Sequence, residues 1–430
     1  MGAGGHRAQR RTTPGHRRPL STTGTEKPKR AKIELLVRSE AGDDFQVTKV
    51  ESSLAYRQAR PQRIPDGQIE VAEMRSNVRR STTYMVKNRV TEKYIELSEP
   101  EYFLWNQMNG RTSVEELAVA YVLKFGAFDF DIIHALIDKL QRAELLTMRP
   151  ISRLRAMLAA NRKNPAARAA EATLKALDRL TVGSRTAHDA FTRVYRYGAF
   201  LMFTPVGLAL LALVTLLGFK GTREIWQDSS DLYAGFGEHP VIALLLVKVF
   251  FFLTLILHQM LHALALVHYG RRVKEFGFTM LHGFLPTFYA DVTDVFMGSR
   301  RARIVTGISG PMVHLFLGSL YIYLASQCGP GLLKSFLVAS AILQSQSLFF
   351  SLYPFCFLEM DGYHVLVDWL GLPRLKSESI AFVNGGLWRR LRAGGRFTRE
   401  EAVFVGYVVL SITSIAAFVG LNVWFFVHTT

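Results

Sequence analysis

The stretch that decides the fold is PVIALLLVKVFFFLTLILHQMLHALALVHYG, residues 240–270. It is almost entirely apolar, and a helix of this length, rising about 1.5 Å per residue, crosses the roughly 30 Å of hydrocarbon in a bilayer. His258 and His262 lie four positions apart near its end, so both imidazoles project from one face of that helix. Ionisable side chains at membrane depth are costly and usually functional. The segment therefore predicts a membrane helix that carries a chemical site.

Four more stretches are long and apolar enough to span a membrane: Tyr197–Phe219, Ile304–Gln327, Leu332–Leu358 and Ala402–Val427. Between the spans that begin at residues 240 and 304, Phe276–Phe296 is apolar but interrupted by Gly277, Gly283 and Pro286, which favours a re-entrant hairpin. We therefore predict an α-helical integral membrane protein with five spans and a re-entrant segment. A small cytoplasmic α+β domain of winged-helix type is expected to precede it.

The charges of the chain lie mainly in its front half. Residues 1–193 hold 34 Lys and Arg against 22 Asp and Glu, whereas residues 194–430 hold 18 against 13. This distribution excludes a uniform globule and a chain that is mainly disordered. A soluble nucleic-acid-binding protein would be basic too, but it would lack the apolar half, so no nucleic acid is expected. Two cysteines in a chain of 430 residues do not form a disulfide framework.

Four regions are predicted along the chain. Residues 1–32 form a basic disordered tail, which either attracts anionic lipid or is simply solvated. Residues 33–148 form a folded module with strands at Ile33–Val37 and Tyr94–Leu97 and with three helices. Residues 149–194 form an amphipathic helical linker that lies on the membrane or packs on the module. Residues 195–430 form the membrane core.

The helices of the module have clear end signals. Ser98 or Glu99 begins the first helix and Gly110 closes it, Thr112-Ser113-Val114-Glu115-Glu116 begins the second, and Phe130–Leu146 is the third.

Basic loops give the orientation. The loop Lys220–Glu238 has two bases and four acids, whereas Gly270–Arg303 and the loop before the last span are rich in Arg and Lys. By the positive-inside rule the N-terminus lies in the cytoplasm and the C-terminus outside. The lipid bilayer is thus the first expected partner.

A third ligand for the histidine pair is expected from PFCFLEMDGYHVLVDWLG, residues 354–371. The second and fourth spans both run from outside to inside, so Asp361 lies at a depth similar to that of His258 and His262. Two imidazoles and one carboxylate around an open fourth position make a catalytic Zn²⁺ site. Gly362 is expected to let the backbone turn so that Asp361 points inward. The alternative is a histidine pair that only forms hydrogen bonds with neighbouring helices.

Four segments in order, HQMLHALALVHYG, LPTFYADVTDV, RRARIVTGISGPMVH and FLEMDGYHVLVDWLGLP, resemble the core of the site-2 protease class of membrane-embedded zinc metalloproteases. The resemblance covers roughly residues 195–427 and is strongest to the peptide zinc metalloprotease branch, which is linked to bacterial peptide maturation and export. It implies Zn²⁺ held by His258, His262 and Asp361. It also implies cleavage of a peptide or membrane-protein substrate near the cytoplasmic face of a bacterial cell membrane.

The front module carries a second resemblance. ELSEPEYFLWNQMNGRTSVEELAVAYVLKFG, followed by IIHALIDKLQRAELL, is similar to PqqD-like domains, over roughly residues 84–148. Such domains capture the leader peptides of ribosomally made, modified peptides. The resemblance implies a leader peptide as a partner of the module, although many winged helices share the pattern of short helix, Gly turn and helix.

The main departure from the class is Gln259, which stands where the class has its general-base Glu. A carboxamide keeps the size of the Glu side chain but does not accept a proton, so the base role fails while metal binding survives. Two explanations stay open: the natural protein is inactive, or Gln259 is an engineered isostere that traps enzyme with substrate. The otherwise intact site favours the engineered form.

The candidate substrate-binding residues are Asp291, Asp294 and Pro354. The two aspartates interrupt an apolar segment, and for them the capping of a turn at the membrane surface is an equal alternative. Pro354 stands beside Phe355 and Cys356, where the class carries an Asn-Pro-type element that helps to hold substrate. Glu359 is the first alternative base to consider, although it is expected to face away.

The leading hypothesis is a membrane-embedded zinc metalloendopeptidase whose present chain is inactive because of Gln259. The alternative is a catalytically inactive zinc-binding membrane receptor or assembly factor for a peptide partner. A transporter fits less well, because we find neither repeated halves nor polar residues distributed along several spans.

Overall fold

The computed structural model describes residues 33–38, 45–50, 57–79, 81–126, 130–147, 182–227, 232, 234–237, 240–281, 285–392, 394 and 396–429. The chain divides into two compact units, Met1–Ala59 and Arg60–Thr430. In the first unit, strands β1 (Ile33–Arg38) and β2 (Phe45–Val50) pair antiparallel, with Ile33 opposite Val50. The predicted tail and most of the predicted linker lie outside the described residues.

The second unit begins with a module of three strands and three helices. The strands form one antiparallel sheet in the order β3-β4-β5. The elements are β3 (Ile69–Arg75), β4 (Thr82–Asn88), β5 (Tyr94–Ser98), α1 (Glu99–Gln107), α2 (Val114–Phe125) and α3 (Phe130–Arg142).

The helices of the module begin where the sequence signals predict. The Glu101 carboxylate accepts a hydrogen bond from the Ser98 backbone N–H, and Ser113 and Glu116 cap α2 reciprocally. Helix α3 ends at Arg142 rather than at Leu146. The chain instead returns through Leu145, whose carbonyl accepts from the backbone N–H of Ile64, so a tertiary strand-like contact ends the helix early.

Five helices among the described residues are long and apolar enough to cross a membrane. This agrees with the predicted helical membrane protein. They are α5 (Pro205–Gln227), α6 (Pro240–His268), α7 (Arg300–Ser326), α8 (Leu332–Leu352) and α12 (Arg399–Thr429).

The first of these helices begins eight residues later than the sequence pattern suggests, at Pro205. Gly198 adopts a φ of 145° after the short helix α4 (Ala187–Arg196), and Ala199–Phe203 forms a 3-10 turn. Thr204 is extended, as the residue before a proline usually is, and proline is favoured at the first helical position. Helix α8 ends at Leu352, before the predicted end at Leu358, because the chain becomes extended at Tyr353 before Pro354.

Helix α7 lies at the centre of the membrane core, where it packs against α5, α6, α8 and α9 (Asp361–Leu370). Close approach is possible because the contacts use small residues. A side chain at Gly218 would overlap Ser319, and one at Gly221 would overlap the backbone of Tyr323.

The segment Phe276–Phe296 forms a hairpin rather than a helix. Strands β7 (Phe276–Leu281) and β8 (Leu285–Ala290) pair antiparallel, and β6 (Val182–Ser184) adds to β7, giving the order β6-β7-β8. A 3-10 turn, Thr293–Met297, leads into α7. Two short helices, α10 (Leu375–Ala381) and α11 (Leu387–Arg392), connect α9 to α12.

The module is held against the membrane core by ion pairs, one buried and the others partly buried. Lys87 of β4 lies 2.5 Å from Asp294 of the 3-10 turn, with side chains only 11% and 4% exposed. Arg271 pairs with Glu70 of β3 at 2.7 Å, and Arg79 pairs with both Glu378 and Glu400. The sheet therefore has a fixed position relative to the elements that carry the histidines.

Candidate metal centre

Three predicted ligands meet in the membrane core. His258 and His262, one turn apart on α6, are 8% and 6% exposed, and their Nε2 atoms lie 3.0 Å apart. Asp361, the first residue of α9, places Oδ2 3.2 Å from His258 Nε2 and Oδ1 3.4 Å from His262 Nε2. Residues 99 positions apart thus form one triad that could hold a metal ion.

The triad has the dimensions of a zinc site. Tetrahedral ligands at about 2.0–2.1 Å from Zn²⁺ are separated from each other by roughly 3.3 Å. The three separations in this triad, 3.0, 3.2 and 3.4 Å, bracket that value. Two nitrogens and one carboxylate are also the donor set of catalytic zinc sites, which leave a fourth position for water or substrate.

Both imidazoles are oriented by hydrogen bonds on the ring nitrogen that faces away from the triad. His262 Nδ1 lies 2.6 Å from the backbone carbonyl of Thr306 on α7. Only a protonated Nδ1 can donate to a carbonyl, so Nε2 keeps its lone pair for a metal. Fixing the second ring nitrogen in this way is the usual support of a metal-binding histidine.

His258 is oriented by a chain of side chains instead. Its Nδ1 lies 3.1 Å from His314 Nε2, and His314 Nδ1 lies 2.6 Å from Gln344 Oε1. Gln344 Nε2 then donates to Thr254 Oγ1 at 3.0 Å, and Thr254 donates to the carbonyl of Phe250 at 3.0 Å. Since Thr254 donates to a carbonyl, its Oγ1 accepts from the Gln344 amide nitrogen, and Gln344 Oε1 accepts from His314 Nδ1. His314 Nε2 therefore accepts from His258 Nδ1, which leaves the lone pair of His258 Nε2 in the triad.

Gly310 forms the floor of the triad. A Cβ atom at this position would lie 2.7 Å from His258 Nε2 and would overlap His262 Nε2. Helix α7 passes the two imidazoles at this glycine and continues through Pro311 without ending. The close approach of this helix at Gly310 is therefore to the candidate ligands themselves.

Asp361 is held in position from α8. Ser351 Oγ donates to Asp361 Oδ2 at 2.5 Å. Gly362 was expected to provide a turn, but it is helical. It is needed for close packing instead, because a Cβ atom there would overlap the carbonyl oxygen of Leu352. The missing side chain lets the first turn of α9 approach the end of α8, which brings the carboxylate to the histidines.

A cavity of about 930 Å³ opens beside the triad. Gln259, His262 and Asp361 line it from the membrane core, and Met74, Met85 and Glu96 line it from the sheet of the module. The cavity thus lies between the two parts of the unit and gives a solute of peptide size a place next to the candidate metal.

The other predicted site residues differ in whether they line this cavity. Asp291 lines the cavity and accepts a hydrogen bond from the backbone N–H of Thr293 at 3.0 Å. Pro354 is half-buried in the segment between α8 and α9 and is absent from the cavity lining. The expectation that Glu359 faces away is wrong: Glu359 lines the cavity, where it pairs with Lys376 at 3.0 Å.

Asp294 fastens the module to the membrane core. Its Oδ1 accepts from Lys87 and, at 2.8 Å, from the Tyr94 hydroxyl, and its Oδ2 accepts from the Arg272 backbone N–H at 3.0 Å. Burial opposes ionisation of this carboxyl, but these donors outweigh it and hold the pKa of Asp294 below its ordinary value. Asp294 therefore binds the module, and the cavity is lined by its neighbours Thr293 and Val295.

Sequence reasoning missed the supporting residues of the centre. His314 and Gln344 are polar residues inside spans, where their cost could have marked them as functional. Gly310 and Ser351 carry no such signal, because small residues are common in membrane helices for packing alone. Lys87 belongs to a distant module, and no local pattern connects it to Asp294.

Comparison with known proteins supports a distant relation to one kind of enzyme. The chain is 24% identical over 181 residues to the Putative peptide zinc metalloprotease protein YydH of Bacillus subtilis (strain 168), a match that covers 42% of this chain and 68% of that protein. No model of a protein family matches the chain, and no solved structure matches it.

Proposed function

We propose that this protein is a zinc-dependent membrane peptidase of the site-2 protease class, with a peptide or membrane-protein substrate. The observation that carries the proposal is the convergence of His258, His262 and Asp361, with ligand spacing that fits Zn²⁺, on a cavity of peptide size. The distant likeness to a protein named as a peptide zinc metalloprotease supports the same class.

Different residues would have different roles in such a site. His258, His262 and Asp361 would hold the metal, while His314 and the Thr306 carbonyl keep the imidazoles in the metal-binding tautomer. Bound Zn²⁺ supplies a Lewis acid that polarises a carbonyl and makes water a stronger nucleophile. The cavity keeps a peptide segment beside the triad, which contributes through proximity and orientation.

Gln259 limits what the chain does as it stands. Gln259 lines the cavity together with His262, and it stands where the site-2 protease class has the Glu that takes a proton. An amide has no basic oxygen or nitrogen at neutral pH, so the general-base step is missing. We therefore propose that this chain binds zinc and peptide with little or no turnover, whether Gln259 is natural or introduced.

Zinc content and peptide cleavage test the proposal together. The purified protein is expected to bind about one equivalent of Zn²⁺, as two-histidine, one-carboxylate sites do, and the variant Asp361→Ala is expected to lose most of it. Gln259→Glu restores a carboxylate at the cavity and is expected to yield cleavage of a co-expressed peptide substrate, whereas Gln259→Met is not. Full zinc occupancy in Asp361→Ala would contradict the proposed ligand set.

The second candidate function is a zinc-binding membrane receptor or assembly factor for a peptide, and Gln259 is the observation that favours it. Both candidates share the metal and the cavity, so binding alone does not separate them. A Gln259→Glu protein that holds zinc and binds peptide but cleaves nothing would favour the receptor.

The charges in the loops support a proposal for the orientation of the site. We propose that the protein lies in the cytoplasmic membrane of a bacterium, with the N-terminus inside and the C-terminus outside. The module and the cavity then face the cytoplasm, so a substrate would meet the site from that side. A leader peptide bound by the PqqD-like module is the proposed route of delivery.

A further inference from the structure

The sheet of the module has two faces with different partners. Strand residues alternate between faces, and residues opposite each other in the register share one. Val86 lies opposite Ile95 and Val71, and both Val86 and Ile95 are buried. On the same face Tyr84 stacks on Tyr102 of α1 at 3.8 Å between ring centroids. This face is therefore used for the core of the module itself.

The opposite face borders the cavity of the candidate metal centre. Met85 lies opposite Ala72 and Glu96 in the register, and Met74 follows Ala72 two residues later, so all four share this face. Met74, Met85 and Glu96 line the cavity together with Gln259, His262 and Asp361. The module thus contributes one wall of the space in which a substrate would lie.

This wall is held in place on several sides. On the same face as Met85, Lys87 and Tyr94 bind Asp294. At the edge of the cavity, Glu96 pairs with Arg374 at 3.3 Å. A buried pair such as Lys87–Asp294 is costly to break, because a lone charge would stay in a poorly hydrated place. The methionines therefore keep their position in the wall of the cavity.

The wall has the character of a peptide-binding surface. Methionine side chains are unbranched and polarizable, so they adapt to side chains of different shape. The cavity of about 930 Å³ is at the upper end of the size of small-molecule sites, which suits a short extended segment and excludes a folded domain. Two charged pairs, Glu96–Arg374 and Glu359–Lys376, also line the cavity, so an apolar side chain of a substrate is expected to lie against the methionines and the other apolar lining residues.

We propose that Met74, Met85 and Glu96 form a substrate-binding wall, and that the substrate is an unfolded peptide segment held between this sheet and the metal triad with an apolar side chain against Met74 and Met85. The proposal rests on the proposed function, since it concerns the same site. It goes further in naming the state of the substrate and the residues of the module that select it.

The test uses the full chain, loaded with Zn²⁺ in lipid nanodiscs, and two probes. One probe is acetohydroxamate, which reports an accessible metal without any peptide. The other is a fluorescent peptide of about six residues, roughly 20 Å when extended, with a central Leu and a C-terminal hydroxamate. Met85→Trp narrows the cavity at this wall and is expected to weaken peptide binding about tenfold or more, with zinc content and acetohydroxamate binding unchanged.

Matched variants control for size and position. Met85→Leu keeps an apolar side chain of similar volume and is expected to bind the peptide within about twofold of the parent. Val90→Trp makes a large substitution at a residue that is 68% exposed and outside the cavity lining, and it is expected to have no effect. A photoreactive benzoylphenylalanine at Met74 is expected to cross-link to the peptide, while the same group at Val90 is not.

The outcomes separate this inference from the function on which it rests. If neither zinc nor acetohydroxamate binds, the proposed function is wrong and the inference falls with it. If acetohydroxamate binds but the peptide gains no affinity from its residues, or binds Met85→Trp as well as the parent without cross-linking at position 74, only the substrate wall is wrong. Cross-linking at position 74 remains a measure if Met85→Trp fails to fold.

Discussion

Gly310 decides whether helix α7 can pass the two histidines. Any side chain at this position would enter the space between the His258 and His262 nitrogens. Packing in a membrane protein core leaves little room for such an atom, so either the imidazoles move apart or the helix moves away. The triad therefore depends on a residue that contributes no ligand atom.

The variant Gly310→Ala is expected to lose most of its zinc while the protein stays folded. A displacement of the imidazoles by a few tenths of an ångström already disturbs tetrahedral coordination. Metal analysis of the purified variant measures this directly. Gly406→Ala on α12 is the matched control, since a Cβ there meets nothing within 4 Å. Equal zinc content in the two variants would contradict this prediction, because it would show that α7 can move away without disturbing the histidines.

The chain from His258 through His314 and Gln344 predicts a second residue effect. His314→Phe keeps an aromatic ring but leaves His258 Nδ1 without its partner. Loss of such an orienting partner typically lowers metal affinity about ten- to a hundredfold. Competition with a chelator of known affinity measures the change, and the visible spectrum of the Co²⁺-substituted protein reports the ligand geometry.

His268→Phe is the control for that experiment. His268 is also on α6, but it stacks on Phe203 and binds the Tyr195 hydroxyl at 2.8 Å, away from the triad. Its substitution is expected to leave zinc affinity unchanged. If His314→Phe likewise binds zinc as the parent does, the hydrogen-bond chain has only a packing role.

Among the elements, the sheet and the 3-10 turn at Thr293–Met297 depend on each other. Lys87→Met removes one partner of a buried pair and is expected to destabilise the docked module by about 3–5 kcal/mol. Lys93→Met, which breaks the exposed pair with Glu144, is expected to cost about 0–1 kcal/mol. Amide hydrogen exchange in β4, followed by mass spectrometry, compares the two, and equal protection would contradict the interpretation.

The same contact predicts a dependence on pH. The pKa of Asp294 lies below its ordinary value of 3.8, because its hydrogen-bond donors outweigh its burial. A carboxyl whose pKa is lowered by folding stabilises the fold fully above its ordinary pKa, and this stabilisation is lost as the pH falls through the pKa of the folded state. Between about pH 5 and pH 3, the thermal unfolding temperature of the parent should therefore fall more steeply with decreasing pH than that of Asp294→Asn.

Element boundaries show which local signals suffice. Caps such as Ser113 with Glu116 fix helix starts because they satisfy backbone groups locally. The end of α3 depends instead on Leu145, which pairs with a segment more than 80 residues earlier. Hydropathy located all five spans but placed the start of α5 too early, because apolar Ala199–Phe203 forms a 3-10 turn outside the long helix.

For the whole molecule, the proposed orientation predicts which loops are reachable from each side. In a background without Cys328 and Cys356, Gly329→Cys after α7 is expected to react with a membrane-impermeant maleimide in intact cells. Gly385→Cys, between α10 and α11, is expected to react only after the cells are opened. A Cβ atom at either glycine would meet nothing within 4 Å, so both substitutions are tolerated sterically. The opposite labelling pattern would show that the topology is the inverse of the proposed one.

The sequence by itself determined the apolar spans of the protein, the three candidate ligands and the presence of an amide, which is not a base, at position 259. These follow from local facts: the length of apolar segments, the i, i+4 spacing of two histidines, and the chemistry of an amide. The position of Asp361 also followed, because two spans that run in the same direction bring equivalent ends to one depth.

Only the tertiary structure decided what supports and covers the triad. Gly310, His314 and Ser351 lie on different helices from the histidines, and Met85 and Lys87 lie in a module more than 150 residues away. Their roles depend on contacts across the packed unit, and such contacts leave no period or spacing in the sequence. The physical reason is that a ligand can be recognised by its own chemistry, whereas a support is defined by what it touches.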